Sequence, residues 1–189
     1  MKKILTIITL VGVLYITGKA QEDNRNQNSG IISFSHGLLL GSEFNEKPLV
    51  QSYMVDLNYR FNKYGGAGIF AGLESLNEEV LPVGLNLVFY LPVNSTTLFV
   101  KGSSGYSIST GRPKNNQDYY WQPYEHADGG FLGNVDLGIT FANYEKHCFY
   151  ASIGYRYNEL NYVLEDWRGS VDRKMIFNRF NIRFGFMFY

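Results

Sequence analysis

The C-terminal segment of the chain alternates strictly between apolar residues and polar or small ones. From Phe180 to Phe188 every even-numbered residue is Phe or Ile, whereas the odd-numbered residues are Asn181, Arg183, Gly185 and Met187. Side chains of a strand point alternately to its two sides, so this pattern predicts a β-strand with one fully apolar face. Such a face must either lie in a protein core or contact lipid.

The same alternation recurs along the chain and predicts eight strands. Their approximate bounds are residues 30–42, 50–61, 66–75, 81–91, 97–110, 130–141, 147–159 and 174–189. The connections alternate in character, with short ones at 62–65, 92–96 and 142–146 and longer or more polar ones at 43–49, 76–80, 111–129 and 160–173. Short turns that alternate with longer loops are typical of up-and-down β-barrels.

These features predict an all-β fold, an eight-stranded antiparallel up-and-down transmembrane β-barrel over residues 30–189. A tilted strand of roughly 9 to 11 residues crosses the hydrocarbon layer, and a closed barrel satisfies its backbone hydrogen bonds there. The alternative is a soluble exported β-sandwich, which also alternates. Its outward face would carry many Lys and Glu residues. Here the polar face is rich in Gly, Ser and Asn, which suits the narrow interior of an eight-stranded barrel.

The N-terminus carries the pattern of a secretory signal peptide over residues 1–20. Lys2 and Lys3 precede an apolar stretch, and Gly18-Lys19-Ala20 supplies the small residues that a signal peptidase recognises. Residues 21–29 are polar and are predicted to be a flexible segment. We therefore expect export and, after cleavage of the signal, residence in the outer membrane of a Gram-negative bacterium.

Charge and cysteine content exclude several function classes. Loss of Lys2, Lys3 and Lys19 would leave 14 basic residues against 17 acidic ones, a net charge of −3, which does not favour nucleic acid as a partner. A single cysteine, Cys148, cannot form an intrachain disulfide. Although His147 precedes it, two adjacent ligands do not make a metal site. We predict no metal and no cofactor.

The strand pattern and the C-terminal aromatic strand resemble the small eight-stranded outer-membrane barrels of the OmpX/OmpA-membrane-domain type. The Gly18-Lys19-Ala20-Gln21 junction and the Tyr- and Asn-rich strands resemble members of this group from Bacteroidota. The resemblance implies an N-terminus and short turns in the periplasm and four long loops outside the cell, but no particular function. The alternation of the last strand is in phase with Phe188, so Tyr189 is expected on the inner face or frayed, and the strand's register stays open.

The alternation also predicts a charged interior. The inward-facing charged residues are Asp56, Arg60, Glu74, Lys101, Asp136, Arg156, Arg179 and Arg183. Unpaired charges are costly in a narrow lumen, so opposite signs should pair across strands. We predict a salt-bridged plug. The alternative is a narrow pore, weakly biased towards anions because five of these residues are basic and three are acidic.

Histidines and serines raise the alternative of an enzyme that modifies lipid A. His36 is close in sequence to Ser33 and Ser35, and His126 lies in the connection 111–129. A catalytic triad needs its members within hydrogen-bond reach, and alternation places His36 on the opposite face from the two serines. We predict a protein that is not an enzyme.

Aromatic residues in two of the longer connections are candidates for recognition. They are Tyr119, Tyr120, Trp121, Tyr124 and Trp167. Such side chains offer rigid apolar area with polar tips, as recognition surfaces often do, but they are also typical of the aromatic girdle at lipid headgroups. The working hypothesis is a non-enzymatic outer-membrane barrel whose loops contact a partner protein, glycan or surface. Its expected partners are outer-membrane lipid and another outer-membrane or surface protein.

Overall fold

A computed structural model describes most of the predicted barrel. The described residues are 29–41, 48–76, 79–93, 96–110, 124–142, 144, 146–166 and 169–189, without the side chains of 124–127, 164–166, 169–170 and 173. The predicted signal peptide and residues 21–28 of the predicted flexible segment lie outside this set. The described part contains no helix long and apolar enough to cross a membrane.

Eight strands form the described structure. They are Ser29–Leu40 (β1), Leu49–Arg60 (β2), Gly65–Ser75 (β3), Glu79–Val93 (β4), Thr96–Ser109 (β5), Tyr124–Phe141 (β6), His147–Asp166 (β7) and Gly169–Phe188 (β8). Each strand pairs antiparallel with the next, and β8 pairs with β1, so the sheet closes into a barrel. The predicted fold class is confirmed.

Alternation along the strands separates the two faces of the barrel wall. The outer face carries large apolar side chains, and Leu85, Leu87 and Phe184 are 67%, 58% and 62% exposed. Phe70 points inward and is buried, as the alternation predicted. We call the outward-facing apolar residues of β1–β8 the apolar belt. Soluble monomers rarely expose so large a contiguous apolar surface. Such a surface is typical of a barrel wall that contacts lipid.

Glycines on the inner face make room for large side chains in the narrow interior. A Cβ atom at Gly37 would lie 2.8 Å from Cγ of Arg183, and one at Gly138 would collide with the ring of Phe99. Both contacts would be closer than the distance at which carbon atoms normally pack. The frequent glycines of the polar face therefore have a steric role, which is to let arginine and aromatic side chains lie flat across the lumen.

The two ends of the barrel differ. The lower rim carries the turns 61–64, 94–95 and 142–146, and the upper rim carries the connections 42–47, 76–78, 111–123 and 167–168. Tyr189 follows β8 at the lower rim, where its hydroxyl lies 3.1 Å from Sγ of Cys148. Its backbone N–H donates to the carbonyl of Lys146 at 3.0 Å. Tyr189 thus lies on the inner face, and the pairing of β8 with both β7 and β1 fixes its register.

Three strands extend further above the upper rim than predicted. β6 begins at Tyr124, not near residue 130, β7 continues to Asp166, and β8 begins at Gly169. The predicted loops at 111–129 and 160–173 were therefore wrong in part, and Tyr124 belongs to a strand. These segments contain Asn, Asp and Gly, which are depleted in strands. Pairing with a long neighbouring strand, as in Tyr124↔Glu165 and Asp166↔Gly169, supplies the backbone hydrogen bonds that override this propensity.

Candidate functional site

The interior is organised in layers along the barrel axis. The lower cluster, near the lower rim, consists of Ile31, Val88, Tyr90, Phe99, Cys148, Tyr150 and Met187, with Tyr189 packed against it. The upper cluster, near the upper rim, consists of Leu39, Val50, Leu76, Val80, Leu160, Tyr162 and Phe177, with Met175 packed against it. The charged layer lies between the two. It follows that both ends of the polar interior are covered by apolar side chains.

One half of the charged layer is centred on Lys101. Its Nζ lies 3.3 Å from Oδ1 of Asp56 and 3.8 Å from Oδ2 of Asp136. Asp56 also accepts hydrogen bonds from Ser33 Oγ at 2.9 Å and from Asn86 Nδ2 at 2.6 Å. All these side chains are buried. A buried ammonium group between two carboxylates is compensated, which satisfies the requirement that a buried charge be paired.

The other half is centred on Glu74. Its Oε1 lies 2.9 Å from Nη1 of Arg156 and 3.9 Å from Nη2 of Arg183, and it accepts a hydrogen bond from Ser52 Oγ at 2.7 Å. The side chains of Arg156 and Arg183 are 2% and 1% exposed. One carboxylate thus compensates two buried guanidinium groups. Among the described ion pairs of the interior, Glu74 is therefore a carboxylate that pairs with two cations.

Asparagine side chains link the parts of the charged layer. Asn181 Nδ2 donates to Asn134 Oδ1, and Asn134 Nδ2 donates to Asp136 Oδ2, both at 2.6 Å. These neutral residues, like Ser33, Ser52 and Asn86, were missing from the predicted set. Their sequence signal was available, because they share the inward parity of the charged residues.

Two further predicted interior charges make other described contacts. Arg60, at the lower end of β2, donates to the carbonyls of Asn62 at 3.1 Å and Lys63 at 2.6 Å, and its guanidinium lies 4.7 Å from the ring centre of Tyr90. It holds a turn at the lower rim. Arg179 is buried, and its guanidinium lies 5.6 Å from the ring centre of Phe177 in the upper cluster.

The interior leaves little free space. The cavity in the charged layer has a volume of about 10 Å³, and its lining includes Asp56, Lys101, Asp136, Arg156 and Arg183. That volume is at the lower limit for a single water molecule. Apolar clusters lie on either side of this cavity, so we expect side chains to fill most of the described interior.

We therefore expect the folded protein to give no steady conductance in a planar bilayer. Conduction would require water and ions to pass the lower cluster, where Phe99 and Tyr150 pack edge to face with ring centres 5.7 Å apart. The double variant Phe99→Ala/Tyr150→Ala is the positive control. It removes two of the largest side chains of that cluster and should therefore conduct more readily than the unaltered protein. Steady conductance of the unaltered protein would contradict this prediction and favour the pore.

Residues suggestive of catalysis are kept apart. Ser33 and Ser35 are buried inside the barrel, whereas His36 lies on the outer face with its ring 4.8 Å from that of Tyr53. The side chain of His126 lies outside the described residues. His147 is at the lower rim. Among the described residues, no three His, Cys, Asp or Glu side chains come together as a group that could hold a metal ion.

The upper ends of the last three strands form a separate feature. Above the Ser107↔Gly130 pair, β6 pairs only with β7 in the described part of the chain, and above the Leu40↔Phe180 pair, β8 also pairs only with β7. We call residues 124–129, 159–166 and 169–178 the outer sheet. It stands above the upper ends of the other five strands as a three-stranded extension of one side of the wall.

The outer sheet carries polar surface groups. Lys174 Nζ lies 2.6 Å from Glu159 Oε1. This hydrogen bond lowers the pKa of Glu159 and raises the pKa of Lys174, so both stay charged around neutral pH. Tyr124 heads β6 opposite Glu165. The other recognition candidates, which are Tyr119, Tyr120, Trp121 and Trp167, lie outside the described residues.

Comparisons with known proteins identify the fold. No family model and no curated protein matches the chain. The structure of the outer membrane protein OprG from Pseudomonas aeruginosa is similar, with a TM-score of 0.62 and 11% identity over 86% of this chain and 96% of that one. The outer membrane protein AlkL has a TM-score of 0.56 and 13% identity over 89% and 93%. Neisserial surface protein A has a TM-score of 0.55 and 9% identity over 84% and 96%. The chain therefore has the fold of small outer-membrane β-barrels.

Proposed function

We propose that this chain is a non-enzymatic outer-membrane protein, a closed barrel that presents its outer sheet and the adjoining connections to a partner protein, glycan or surface. The observation that carries the proposal is the combination of an interior filled by side chains with three strands that extend beyond the other five at the upper rim. A barrel without an open lumen has its accessible polar surface at the rims. The longest strands place most of that surface at the upper rim.

Strand lengths support this orientation. β1, β2 and β3 have 12, 12 and 11 residues, about what a tilted strand needs to cross the hydrocarbon layer. β6, β7 and β8 have 18, 20 and 20 residues. The excess lies at one end, opposite the short turns. In outer-membrane barrels the short turns face the periplasm, so the outer sheet would project outside the cell.

The outer sheet packs against other strands of the barrel at the upper rim. In the upper cluster, Leu160, Tyr162 and Phe177 of the long strands contact apolar residues of the shorter strands, among them Leu39 and Val50. Buried apolar side chains therefore connect the outer sheet to the shorter strands. A rigid support of this kind favours recognition, because less conformational entropy is lost when a partner binds.

Replacement of residues 119–124 by a six-residue Gly/Ser linker should reduce partner binding at least tenfold without preventing assembly. The replaced segment contains the largest group of recognition candidates, including Trp121, and buried aromatic anchors dominate binding energies. Vesicles that carry the folded protein would be tested against mucin glycans, fibronectin, collagen and purified outer membranes of the producing cell. The shift in gel mobility on boiling would report assembly.

The matched control replaces residues 42–47, another connection of the upper rim, by the same linker. This variant should keep both assembly and binding. If the unaltered protein binds no member of the panel, or if the 119–124 variant binds as well as the unaltered protein, the presentation function is wrong. An altered lipid A profile in a deletion strain would instead favour an enzyme.

A further inference from the structure

A polar strip crosses the otherwise apolar outer face of β1 and β2. The imidazole ring of His36 stacks on the ring of Tyr53, with centres 4.8 Å apart and planes inclined by 27°. The hydroxyl of Tyr53 donates a hydrogen bond to Oε1 of Gln51 at 3.0 Å. Three polar side chains thus follow one another along the wall, from the middle of β1 towards the upper rim.

His36 lies deep within the belt. It is in the middle of β1, with Phe34 on one side along the outer face and Leu38 on the other. Away from the two rims, it is the only outward-facing residue of the described strands that carries an imidazole, amine, guanidinium or carboxylate. No hydrogen bond to either of its ring nitrogens forms within the described part of the chain. Polar groups at this depth normally face protein or water, because hydrocarbon offers them no partner.

The wall beside His36 is also indented. A cavity of about 780 Å³ opens on the outer face; its lining includes His36, Ala71 and Phe184 and extends from Leu81 on β4 to Phe149 on β7. Small residues such as Ala71 leave the indentation, and large ones such as Phe184, which is 62% exposed, stand beside it. A wall with both a hollow and protruding aromatic rings can interlock with a copy of itself.

We propose that this wall is the interface between two copies of the chain, related by a two-fold axis along the membrane normal. Such an axis puts every residue at the same depth in both copies, so that His36 of one copy meets the polar strip of the other. There, the Tyr53 hydroxyl can still accept a hydrogen bond and the Gln51 amide can donate one. An acyl chain would fill the hollow but would leave the imidazole without a partner. A self-complementary patch of this kind is the usual basis of a two-fold dimer.

The inference rests on the membrane location in the proposed function but not on the outer sheet. The two can therefore fail separately. A protein that binds its partner as a monomer would leave presentation intact, and a dimer that binds no member of the panel would leave the interface intact.

The first test uses Leu38→Cys, which lies next to His36 on the outer face of β1 and leaves the polar strip intact, in a Cys148→Ser background, reconstituted in phospholipid vesicles and treated with a short bismaleimide. Most of the protein should become a cross-linked dimer. The matched control is Val135→Cys, because Val135 is a 55% exposed belt residue on β6, at the opposite wall from the strip. The control should stay at least tenfold less cross-linked. Equal yields from both positions, or cross-linking of neither, would overturn the proposal.

The second test is His36→Leu, with dimerisation in vesicles measured by energy transfer between labelled copies. Loss of the polar contact should weaken association at least tenfold, while the heat-dependent gel shift remains. His36→Gln keeps hydrogen-bonding capacity and should retain a larger share of the dimer than His36→Leu. Unchanged association of His36→Leu would show that the strip faces lipid and would overturn the proposal.

Discussion

Replacement of Glu74 by Gln is expected to lower the free energy of unfolding by about 3–5 kcal/mol, the range for breaking a buried ion pair from one side. The substitution keeps the shape of the side chain and removes its charge. Arg156 and Arg183, 2% and 1% exposed, would then have lost the carboxylate beside them. The loss should appear as a lower midpoint in urea unfolding of the protein in vesicles, followed by the gel-mobility shift.

The control for this prediction is Glu159→Gln, the same chemical change in the ion pair of the outer sheet. Its partner Lys174 is 53% exposed, and ion pairs at the surface contribute little to stability because water and salt screen them. Both variants remove one carboxylate charge from an ion pair. The difference between their losses of stability therefore measures the effect of burial. Equal effects of the two substitutions, or a loss below about 1 kcal/mol for Glu74→Gln, would show that the charged layer is well hydrated and that the interior is more open than described.

The inner and outer faces of the wall could be predicted from the sequence because they depend on a single local rule. A strand alternates with a period of two, and one face of each strand here is apolar. Asp56 and Glu74 could therefore be placed inside from their neighbours alone. The same rule put His36 outside and Ser33 inside. The separation of these two excluded a direct contact between them without any knowledge of the fold.

Which interior residues meet could not be predicted in the same way. Alternation gives the face of a residue but not its height along the barrel axis, which depends on the stagger between strands. Asp56 on β2 and Lys101 on β5 lie 45 positions apart, and only the closed barrel brings them to 3.3 Å. Arg60 has the right parity but the wrong height, so it holds a turn at the lower rim and takes no part in the charged layer.

The upper ends of the long strands could not be predicted for a different reason. Local composition favoured loops there, and the strands persist because each has a long neighbour to pair with. That is a non-local effect, and a propensity argument does not contain it. The polar strip was missed similarly, since the stacking of His36 on Tyr53 depends on the register between β1 and β2.

Substitution of Leu85 by Arg is expected to destabilise the barrel by about 2–4 kcal/mol in lipid vesicles, the range for an arginine on the lipid-facing side near the middle of the bilayer. Leu85 lies in the middle of β4 and is 67% exposed. In a soluble protein a side chain so exposed would tolerate arginine almost without effect, since surface substitutions away from special features usually stay within about 0.5 kcal/mol. The expected loss of stability is therefore large if Leu85 faces lipid and small if it faces water. Urea unfolding in vesicles distinguishes the two.

The matched control is Tyr64→Arg in a turn of the lower rim, where the side chain is 51% exposed. There the arginine can reach water, and the expected loss is about 0–1 kcal/mol because the penalty falls towards the membrane interface. A graded response, large at Leu85 and small at Tyr64, would locate the hydrocarbon layer on the apolar belt. If both variants were as stable as the unaltered protein, the belt would not face lipid, and its exposed leucine and phenylalanine side chains would require a protein partner instead.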